Sequence, residues 1–420
     1  MNIILDASPL GIGFYHRQAR TGISRVVEQL VAGLQRADDV TLLLAAPTHL
    51  TETMRYAEVA FGPQVPAFAN PSTEQRWAHV ENSLLKPFSP VGKPSKLLRR
   101  IAYEARLRLG KETSRFETDH LPANALYHAT FFPAPDDIRK SRKMPLLQSI
   151  HDLIPIRHPE WFTSGEQTVK QVLATLPANA WVTTVSQATK DDFCDHTGFD
   201  PARVVPILLA ASPDLFYSGA DEAQIRTIRQ KLGIGEQPYL LSLATLEPRK
   251  NIAHLIRSFG RLVDGGELPA DIRLVLVGTK GWKFDEIMAE ASKNPALASR
   301  LHFTGFVQDE DLAPLYNGAL AFVYPSLYEG FGLPPLEAMQ CGLPVITSDI
   351  PAITEVVGEA AIRVAPTDSD ALCEAILKLV ASPSLRNELS AKGINRAAMF
   401  SWDKFTSEHV ALYKRIIELV

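Results

Sequence analysis

SLYEGFGLPPLEAMQCGLPVITSD, residues 326–349, places a glycine-containing loop, a helix start and an apolar strand in immediate succession. The apolar run GALAFVYP (318–325) comes directly before it and predicts the strand that enters the loop. Pro334 and Pro335 favour a helix start, because the first N–H groups of a helix have no partner within it. A strand, a loop, a helix and another strand in this order predict a parallel α/β sheet.

The rest of the second half repeats this alternation. Apolar runs predict further strands at 238–245, 272–278, 300–306, 343–348 and 360–365. The segments between them predict helices at 251–263, 283–296, 310–317, 334–341, 351–357 and 368–381. Because the strands are apolar throughout, we expect a sheet that is covered on both faces. Such sheets bind ligands beyond the carboxyl ends of their strands, so the loops there are the expected site of chemistry.

The first half shows a second, less regular α/β pattern. Strands are predicted at 2–8, 40–46, 145–150 and 180–186, and a helix at 24–36. The two patterns meet near 203–218, where an apolar stretch is broken by prolines. The sequence therefore predicts two α/β domains in tandem.

Composition excludes several classes of protein. Of the 420 residues 46% are apolar and 21% are charged, and the formal charge is −4, so there is no global electrostatic case for nucleic acid. Three widely spaced cysteines predict no disulfide framework and no metal site. The N-terminus MNIILDAS resembles no signal peptide, and no apolar run approaches the roughly 20 residues of a membrane span. We expect a soluble or peripheral protein of a reducing compartment.

One segment, about 84–116, is strongly basic. Its nine basic residues and two acids give a balance of +7, with leucine and isoleucine interleaved. On a helix, this pattern fits either an anionic membrane or lipid surface or a solvated helix that packs one face on its own domain. The sequence leaves both interpretations open.

The loop and helix start after 325 form the strongest candidate site. Gly330 and Gly332 allow a close approach of the backbone to a ligand, and a helix N-terminus attracts phosphate. Glu329 and Glu337 would bracket that pocket and accept hydrogen bonds from sugar or ribose hydroxyls. Taken singly, Glu337 fits a residue that favours the helix dipole, and the glycines fit ordinary turns.

Two further loops carry candidate residues. In LSLATLEPRKNI (241–252), Arg249 and Lys250 stand just before a predicted helix. Because cations at a helix start oppose the helix dipole, they need a compensating anion, and a diphosphate would suit them. His151 and Asp152 follow the strand 145–150 and are suited either to a cleft or to an ordinary structural role. Near the N-terminus Gly22 opens a helix, with Thr21 and Ser24 as capping candidates. The glycine spacing in 11–27 does not match a nicotinamide fingerprint.

Together these elements resemble the retaining glycosyltransferase family 4, whose GT-B fold has two Rossmann-like domains facing an interdomain cleft. The spacing from Glu329 to Glu337 is the most specific mark. TLEPRKN (245–251) and HDLIP (151–155) are similar to the bacterial mannosyltransferases of polysaccharide and O-antigen synthesis, and VGTKGW (277–282) also matches in character. One departure is Thr21, where many members have a second glycine.

The resemblance implies an acceptor-binding domain at 1–210, a nucleotide-sugar-binding domain at 211–402 and a helix at 403–420 that crosses back onto the first domain. It implies that His151 lies beside the reacting carbon and that Glu329 addresses the donor sugar. The remaining donor-binding residues that it implies are Gly22, Arg249, Lys250, Phe306, Val307, Gly330, Phe331, Gly332, Leu333 and Glu337.

The predicted reaction is transfer of a hexose with retention, most simply mannose from GDP-mannose, to a saccharide or lipid-linked saccharide. A dTDP- or UDP-linked rhamnose or glucose is the alternative donor. No metal or other cofactor is implied, since Arg249 and Lys250 supply positive charge. A phosphorylase, an epimerase and a non-catalytic sugar-nucleotide-binding protein remain alternatives, because fold does not fix function. We expect a cytoplasmic enzyme, peripheral to the inner face of the membrane if 84–116 binds lipid.

Overall fold

The computed structural model describes residues 1–15, 22–108, 114–116, 118–141, 143–162 and 167–419, without the side chains of Arg106, His120 and Gln167. Thr21 and residues 109–113 of the basic segment lie outside this description. The strands are β1 (Asn2–Asp6), β2 (Thr41–Ala45), β3 (Ala125–Ala129), β4 (Leu146–Ile150), β5 (Trp181–Thr184), β6 (Val204–Pro206), β7 (Tyr239–Leu243), β8 (Arg273–Val277), β9 (Leu301–Gly305), β10 (Ala321–Tyr324), β11 (Val345–Ser348) and β12 (Ala361–Val364).

The α-helices of the first half are α1 (Ser8–Tyr15), α2 (Gly22–Gln35), α3 (Leu50–Phe61), α4 (Ser72–Leu85), α5 (Lys93–Arg108), α6 (Asp136–Arg139), α7 (Ile154–Arg157), α8 (Gln167–Thr175) and α9 (Gln187–Thr197). Those of the second half are α10 (Glu222–Leu232), α11 (Ile252–Asp264), α12 (Phe284–Ala291), α13 (Pro295–Ala298), α14 (Leu312–Asn317), α15 (Leu333–Gln340), α16 (Pro351–Val357), α17 (Ser369–Ala381), α18 (Pro383–Ala397) and α19 (Trp402–Glu418). Short 3₁₀ helices lie at Gly62–Gln64, Thr118–His120, Pro159–Trp161, Pro201–Arg203, Pro248–Lys250 and Asp309–Asp311.

Two parallel six-stranded sheets confirm the predicted α/β fold. Their strand orders are β2-β1-β3-β4-β5-β6 and β12-β11-β10-β7-β8-β9. The second sheet contains every strand that the sequence predicted there. Its four inner strands, β11, β10, β7 and β8, are almost wholly buried, as expected for a sheet with helices on both faces, whereas the edge strands β9 and β12 are half-buried.

The first sheet contains two strands that the sequence analysis missed. β3 carries the buried His128, whose imidazole is hydrogen-bonded to the Tyr413 hydroxyl (2.7 Å) and to Ser149 Oγ (2.8 Å). A histidine within five residues weakened the apolar signal of this strand. β6 lies within the stretch assigned to the domain joint, where its pairing with β5 adds a sixth strand.

Several predicted helix bounds were wrong. The helix predicted at 283–296 is two helices, α12 and α13, because Pro295 starts a new helix with Asn294 as its cap. The helix predicted at 24–36 begins at Gly22, and Ser24 lies inside it and donates to the Pro9 carbonyl (3.0 Å) rather than capping it. The helix predicted at 368–381 is α17, which Asp368 caps by accepting from the amides of Asp370 and Ala371.

The two halves are joined through apolar and polar contacts. One buried cluster runs from Val26 and Leu30 of α2 to Leu241 and Tyr324 of the second sheet. The last helix, α19, packs on α2 and β3 of the first half, and Lys414 pairs with Asp39 (2.6 Å). Among the described residues no helix combines the length and the apolar character needed to cross a bilayer. The domain limits 210 and 402 stay predictions.

Candidate active site

Strand order in the second sheet brings two predicted loops together. β7 pairs directly with β10, Ala321 lying opposite Leu240. The loops after these neighbouring parallel strands therefore leave the same edge of the sheet. The Leu327 amide donates to the Arg249 carbonyl (2.8 Å), which fixes one loop on the other.

Arg249, Lys250 and Glu329 meet at this edge. Arg249 Nη1 lies 2.7 Å from Glu329 Oε2, and Lys250 Nζ lies 2.5 Å from Glu329 Oε1. The Tyr324 hydroxyl donates to Glu329 Oε1 (2.8 Å), and Arg249 also pairs with the buried Glu247 (2.8 Å). Arg249 and Lys250, which the sequence predicted to bind an anionic ligand, are therefore paired with carboxylates of the same chain.

Burial and charge set the protonation of this cluster. Burial would raise the pKa of Glu329, but Arg249 and Lys250 lower it to about 2. Burial lowers the pKa of Lys250, and the charge of Arg249 lowers it further. For Arg249, burial acts to lower the pKa, but Glu329 and Glu247 outweigh it and raise the value. The side chains of Arg249 and Lys250 are only 12% and 11% exposed, so an incoming phosphate would meet two poorly hydrated cations.

Gly330 is one of the points where the second domain contacts the first. A Cβ at this position would lie 2.3 Å from the His151 carbonyl oxygen and 3.0 Å from Asp152 Cβ. The Gly330 carbonyl accepts from Ser186 Oγ (2.6 Å) and Thr189 Oγ1 (3.0 Å), which follow β5. Only glycine permits this approach, so the residue positions His151 against the donor loop.

His151 is half-buried and directly follows β4. Its Nε2 lies 2.8 Å from the Thr130 carbonyl oxygen, which accepts only, so Nε2 carries the proton. Burial lowers the pKa of His151, whereas the Thr130 hydrogen bond and Asp152 raise it less. The imidazole is therefore neutral at pH 7. Burial raises the pKa of Asp152.

Glu337, eight residues beyond Glu329, forms an ion pair with a residue of the other domain. It is the fifth residue of α15 rather than part of its first turn, as the sequence analysis had placed it. Arg25 of α2 reaches across the cleft to Glu337 Oε1 (3.0 Å) and to Asp309 Oδ2 (2.9 Å). Burial raises the pKa of Glu337, Arg25 opposes the rise, and Asp309 adds to it.

The start of α15 offers fewer amides than the sequence analysis expected. Pro334 and Pro335 have no N–H, so they cannot donate to a phosphate. The Leu336 amide is directed to the Gly332 carbonyl (3.4 Å). The amides that remain for an anion are those of Gly332, whose φ of 114° favours glycine, and Leu333.

All the predicted site residues line a single cavity of about 480 Å³ between the two sheets. They are Gly22, His151, Arg249, Lys250, Phe306, Val307, Glu329, Gly330, Phe331, Gly332, Leu333 and Glu337. Most of them come from a loop or helix start that follows a strand of one sheet or the other, whereas Gly22 opens α2 after α1 and Glu337 lies within α15. The cavity combines buried cations, carboxylates, backbone amides and apolar walls, a combination that suits a charged, hydroxyl-rich ligand.

The sequence analysis missed several residues of the cavity. Glu247 was adjacent to the predicted cations, Tyr324 ends β10, and Arg25 stands one turn beyond Gly22. Glu247 and Tyr324 could have been predicted as site residues, because each lies next to a predicted loop. Nothing local marked Arg25, because its partners Glu337 and Asp309 lie some 300 residues away in sequence.

Comparisons with known proteins agree with this geometry. The model of the family "Glycosyl transferases group 1" matches residues 224–396. The O-antigen chain mannosyltransferase B of Escherichia coli is 32% identical over 295 residues, which cover 69% of this chain and 74% of the relative. The serotype-specific mannosyltransferase WbdA of Escherichia coli is 30% identical over 273 residues, which cover 64% of this chain but only 33% of that relative.

A crystal structure of Anabaena HepE in complex with UDP has a similar fold. It superposes with a TM-score of 0.66 at 17% identity and covers 99% of both chains. This likeness shows the fold alone, which is the two-domain GT-B fold. The chain belongs to the group 1 glycosyl transferases and is a glycosyltransferase, in agreement with the resemblance to family 4.

Proposed function

We propose that this glycosyltransferase moves mannose from GDP-mannose onto a saccharide or lipid-linked saccharide, with retention of the anomeric configuration. The observation that carries the proposal is the single cavity in which Arg249 and Lys250 lie beside Glu329 and the Gly330 loop, opposite His151. Two nearly buried cations suit the diphosphate of a nucleotide sugar, because each charge-assisted contact contributes about 1.5–3 kcal/mol.

Donor binding exchanges one set of ion pairs for another. In the structure Arg249 and Lys250 form ion pairs with Glu329. A diphosphate takes over part of their charge, which releases Glu329 to accept hydrogen bonds from the sugar hydroxyls. The Gly332 and Leu333 amides lie at the same loop and add donors to the phosphate.

The other end of the donor lies toward Glu337. Its carboxylate accepts hydrogen bonds from the ribose hydroxyls, and Arg25, which donates to it at 3.0 Å, holds that carboxylate in place. Phe306 and Val307 flank the base, and Gly22 and Leu333 approach each other across the cleft, with 3.6 Å between a Cβ at position 22 and Leu333 Cδ1.

The chemistry proceeds without a protein nucleophile. As the bond from the sugar to the phosphate breaks, Arg249 and Lys250 stabilise the charge on the departing diphosphate. The acceptor hydroxyl enters from the same face, and that phosphate takes its proton. His151, neutral and held by Thr130, lies beside the reacting carbon and excludes water. No metal has a role in this scheme, because the two cations supply the charge that a metal would supply.

The identity of the donor rests on relatives. The two Escherichia coli relatives are named as mannosyltransferases, which supports mannose. The Anabaena structure that shares the fold holds UDP, which supports the alternative of a UDP- or dTDP-linked sugar. We place the enzyme in the cytoplasm, peripheral to the inner face of the membrane, where a lipid-linked acceptor would be presented.

The proposal is tested by thermal unfolding with GDP, UDP, dTDP and ADP, each with and without its attached sugar. A ligand at 100 times its Kd stabilises the folded state by about 2.7 kcal/mol, so selectivity is readily measured. We expect stabilisation by GDP and GDP-mannose, and its loss in Lys250→Ala. The matched control Lys404→Ala, an exposed lysine on α19, should behave like the parent.

Measurements of turnover distinguish between the proposed transferase and the alternative functions. Lys250→Ala should lower kcat/KM by roughly 10- to 150-fold, since the lost contact acts on the leaving group. Selective stabilisation by UDP or dTDP would keep the transferase and discard mannose. Binding of GDP-mannose without acceptor-dependent release of GDP would favour a non-catalytic binding protein.

A further inference from the structure

Helices α4 and α5 of the first domain expose large apolar side chains. On α4, Trp77, Val80 and Leu84 are 67%, 52% and 62% exposed. On α5, Leu97 and Ile101 are 61% and 55% exposed. Single exposed apolar residues are common on protein surfaces, but a group of this size on two adjoining helices marks an interaction site.

The exposed residues of α4 share one face. At about 100° per residue, Trp77, Val80 and Leu84 lie within about 60° of one another around the helix axis. The buried residues of α4 are Ala78, Asn82 and Leu85, which lie on the opposite side. The apolar stripe therefore points away from the protein, and packing of the domain does not explain it.

Polar contacts hold the second helix in place without covering its apolar side. Arg99 donates to Glu52 (3.0 Å) and its guanidinium lies 4.0 Å from the Tyr15 ring. Arg55 donates to the Phe88 carbonyl (3.0 Å) in the connection between the two helices. These contacts fix the hairpin of α4 and α5 on α1 and α3.

Cations predominate among the exposed charges around the apolar residues, while Glu74 and Glu81 of α4 are half-buried. Among the side chains described within 72–108, Glu104 is the exposed acid, and it pairs with Arg100. The exposed cations of the same range are Arg76, Lys86, Lys93, Lys96, Arg100 and Arg108. Since the whole chain has a formal charge of −4, these cations are a local concentration that complements an anionic surface.

We propose that the surface formed by Trp77, Val80, Leu84, Leu97, Ile101 and the surrounding cations docks on an anionic lipid bilayer. Apolar side chains enter the interface while lysine and arginine bind lipid phosphates, and tryptophan is favoured at that depth. Lysine is depleted from protein–protein interfaces, and two copies of the same cationic surface repel each other. Both facts favour a bilayer over a second copy of the chain.

This docking is independent of the donor. It would place the acceptor-binding domain at the membrane whichever nucleotide sugar the enzyme uses. It favours the lipid interpretation of the basic segment and extends the surface to Trp77 and Val80 of α4, which lie outside that segment.

The test is cosedimentation of the full chain with vesicles of phosphatidylcholine, with and without phosphatidylglycerol. The parent should bind only the vesicles with phosphatidylglycerol, and added salt should weaken the binding. Lys93→Gln/Lys96→Gln/Arg100→Gln should weaken it by about 100-fold, at roughly fivefold per cation. Trp77→Ser/Val80→Ser/Leu84→Ser should weaken it by at least about tenfold.

Matched controls change the same residue types elsewhere. Lys392→Gln/Lys404→Gln and Met399→Ser/Leu419→Ser replace exposed residues of the second half and should bind like the parent. Every variant should keep the thermal response to the donor, which shows that it is folded. Brominated lipid should quench fluorescence in the parent more than in Trp77→Phe.

Three results would overturn the proposal. One is the lack of binding to phosphatidylglycerol vesicles, and another is equal binding to both kinds of vesicle. The third is a parent that is dimeric in light scattering and becomes monomeric in the triple serine variant, since the surface would then join two copies of the chain.

Discussion

Glu329 and Glu337 stand eight residues apart, both are buried, and their pKa values are shifted in opposite directions. Glu329 faces Arg249 and Lys250 of its own domain and receives a hydrogen bond from Ser326 (2.7 Å). Glu337 faces Arg25 of the other domain, which it shares with Asp309. Burial acts to raise the pKa of both carboxyl groups. At Glu329 two cations outweigh this effect and the pKa falls, whereas at Glu337 the single cation does not and the pKa rises.

The two ends of the cavity therefore differ in whether they depend on the position of the domains. The Glu329 end is a preformed charge cluster within one domain and does not depend on domain position. The Glu337 end includes an ion pair between domains, so it depends on how closely the domains approach. Donor binding at the first end is expected to be local, and at the second end to be linked to domain closure.

The largest effect should come from Glu329→Gln. Removal of this carboxylate leaves Arg249 and Lys250 with less compensation in a buried site, which costs about 3–5 kcal/mol of unfolding free energy. Glu337→Gln, the matched variant at the other end, should cost less than about 1 kcal/mol, because its ionised form is already disfavoured. Urea unfolding at neutral pH measures both. Equal losses would remove the distinction between the two ends.

The acid dependence of stability should follow Glu329. Its folded pKa of about 2 lies below the ordinary value of 4.5, so the unfolded state binds more protons between these values. Its stabilising contribution is complete above about pH 4.5 and is lost as the pH falls toward 2, on the order of 3 kcal/mol in total.

The Glu329→Gln protein should therefore lose less stability than the parent over this range. Unfolding free energies measured at several acid pH values provide the check. Parallel curves for the two proteins would show that Glu329 is not held ionised by its cations.

The smallest effect is expected from Arg25→Gln. Without Arg25 the pKa of Glu337 rises further, so part of the protein carries a protonated Glu337 that accepts ribose hydroxyls poorly. The donor Kd should rise by less than about tenfold at neutral pH, and the loss should shrink at higher pH as Glu337 ionises. Calorimetric titration at two pH values measures this change, with Arg36→Gln beyond the end of α2 as the control. A loss that does not vary with pH would assign Arg25 a direct contact with the donor instead.

The two domains also differed in how far the sequence predicted them. Every strand of the second sheet was predicted, because short β-rich runs alternate there at regular spacing with helix-like segments. β3 and β6 of the first sheet were not predicted, because the alternation of strands and helices is less regular in that half, and because His128 interrupts one apolar run and prolines interrupt the other. Tertiary contacts stabilise both strands in spite of these residues. α1, α3 and α4 were not predicted either, so Trp77 and Val80 of the proposed lipid surface were missed.

By itself, the sequence determined the two α/β domains and the residues of the loops that line the cavity, because both depend on local order along the chain. Strand ends, glycines and charged residues are visible at fixed positions in the sequence. Only the tertiary structure decided which charges pair. Arg25 meets Glu337, and Glu329 occupies the cations expected to bind phosphate, because chain folding brings them within 3 Å across long separations in sequence. It also decided which side of α4 faces outward, since burial belongs to packing rather than to the residue.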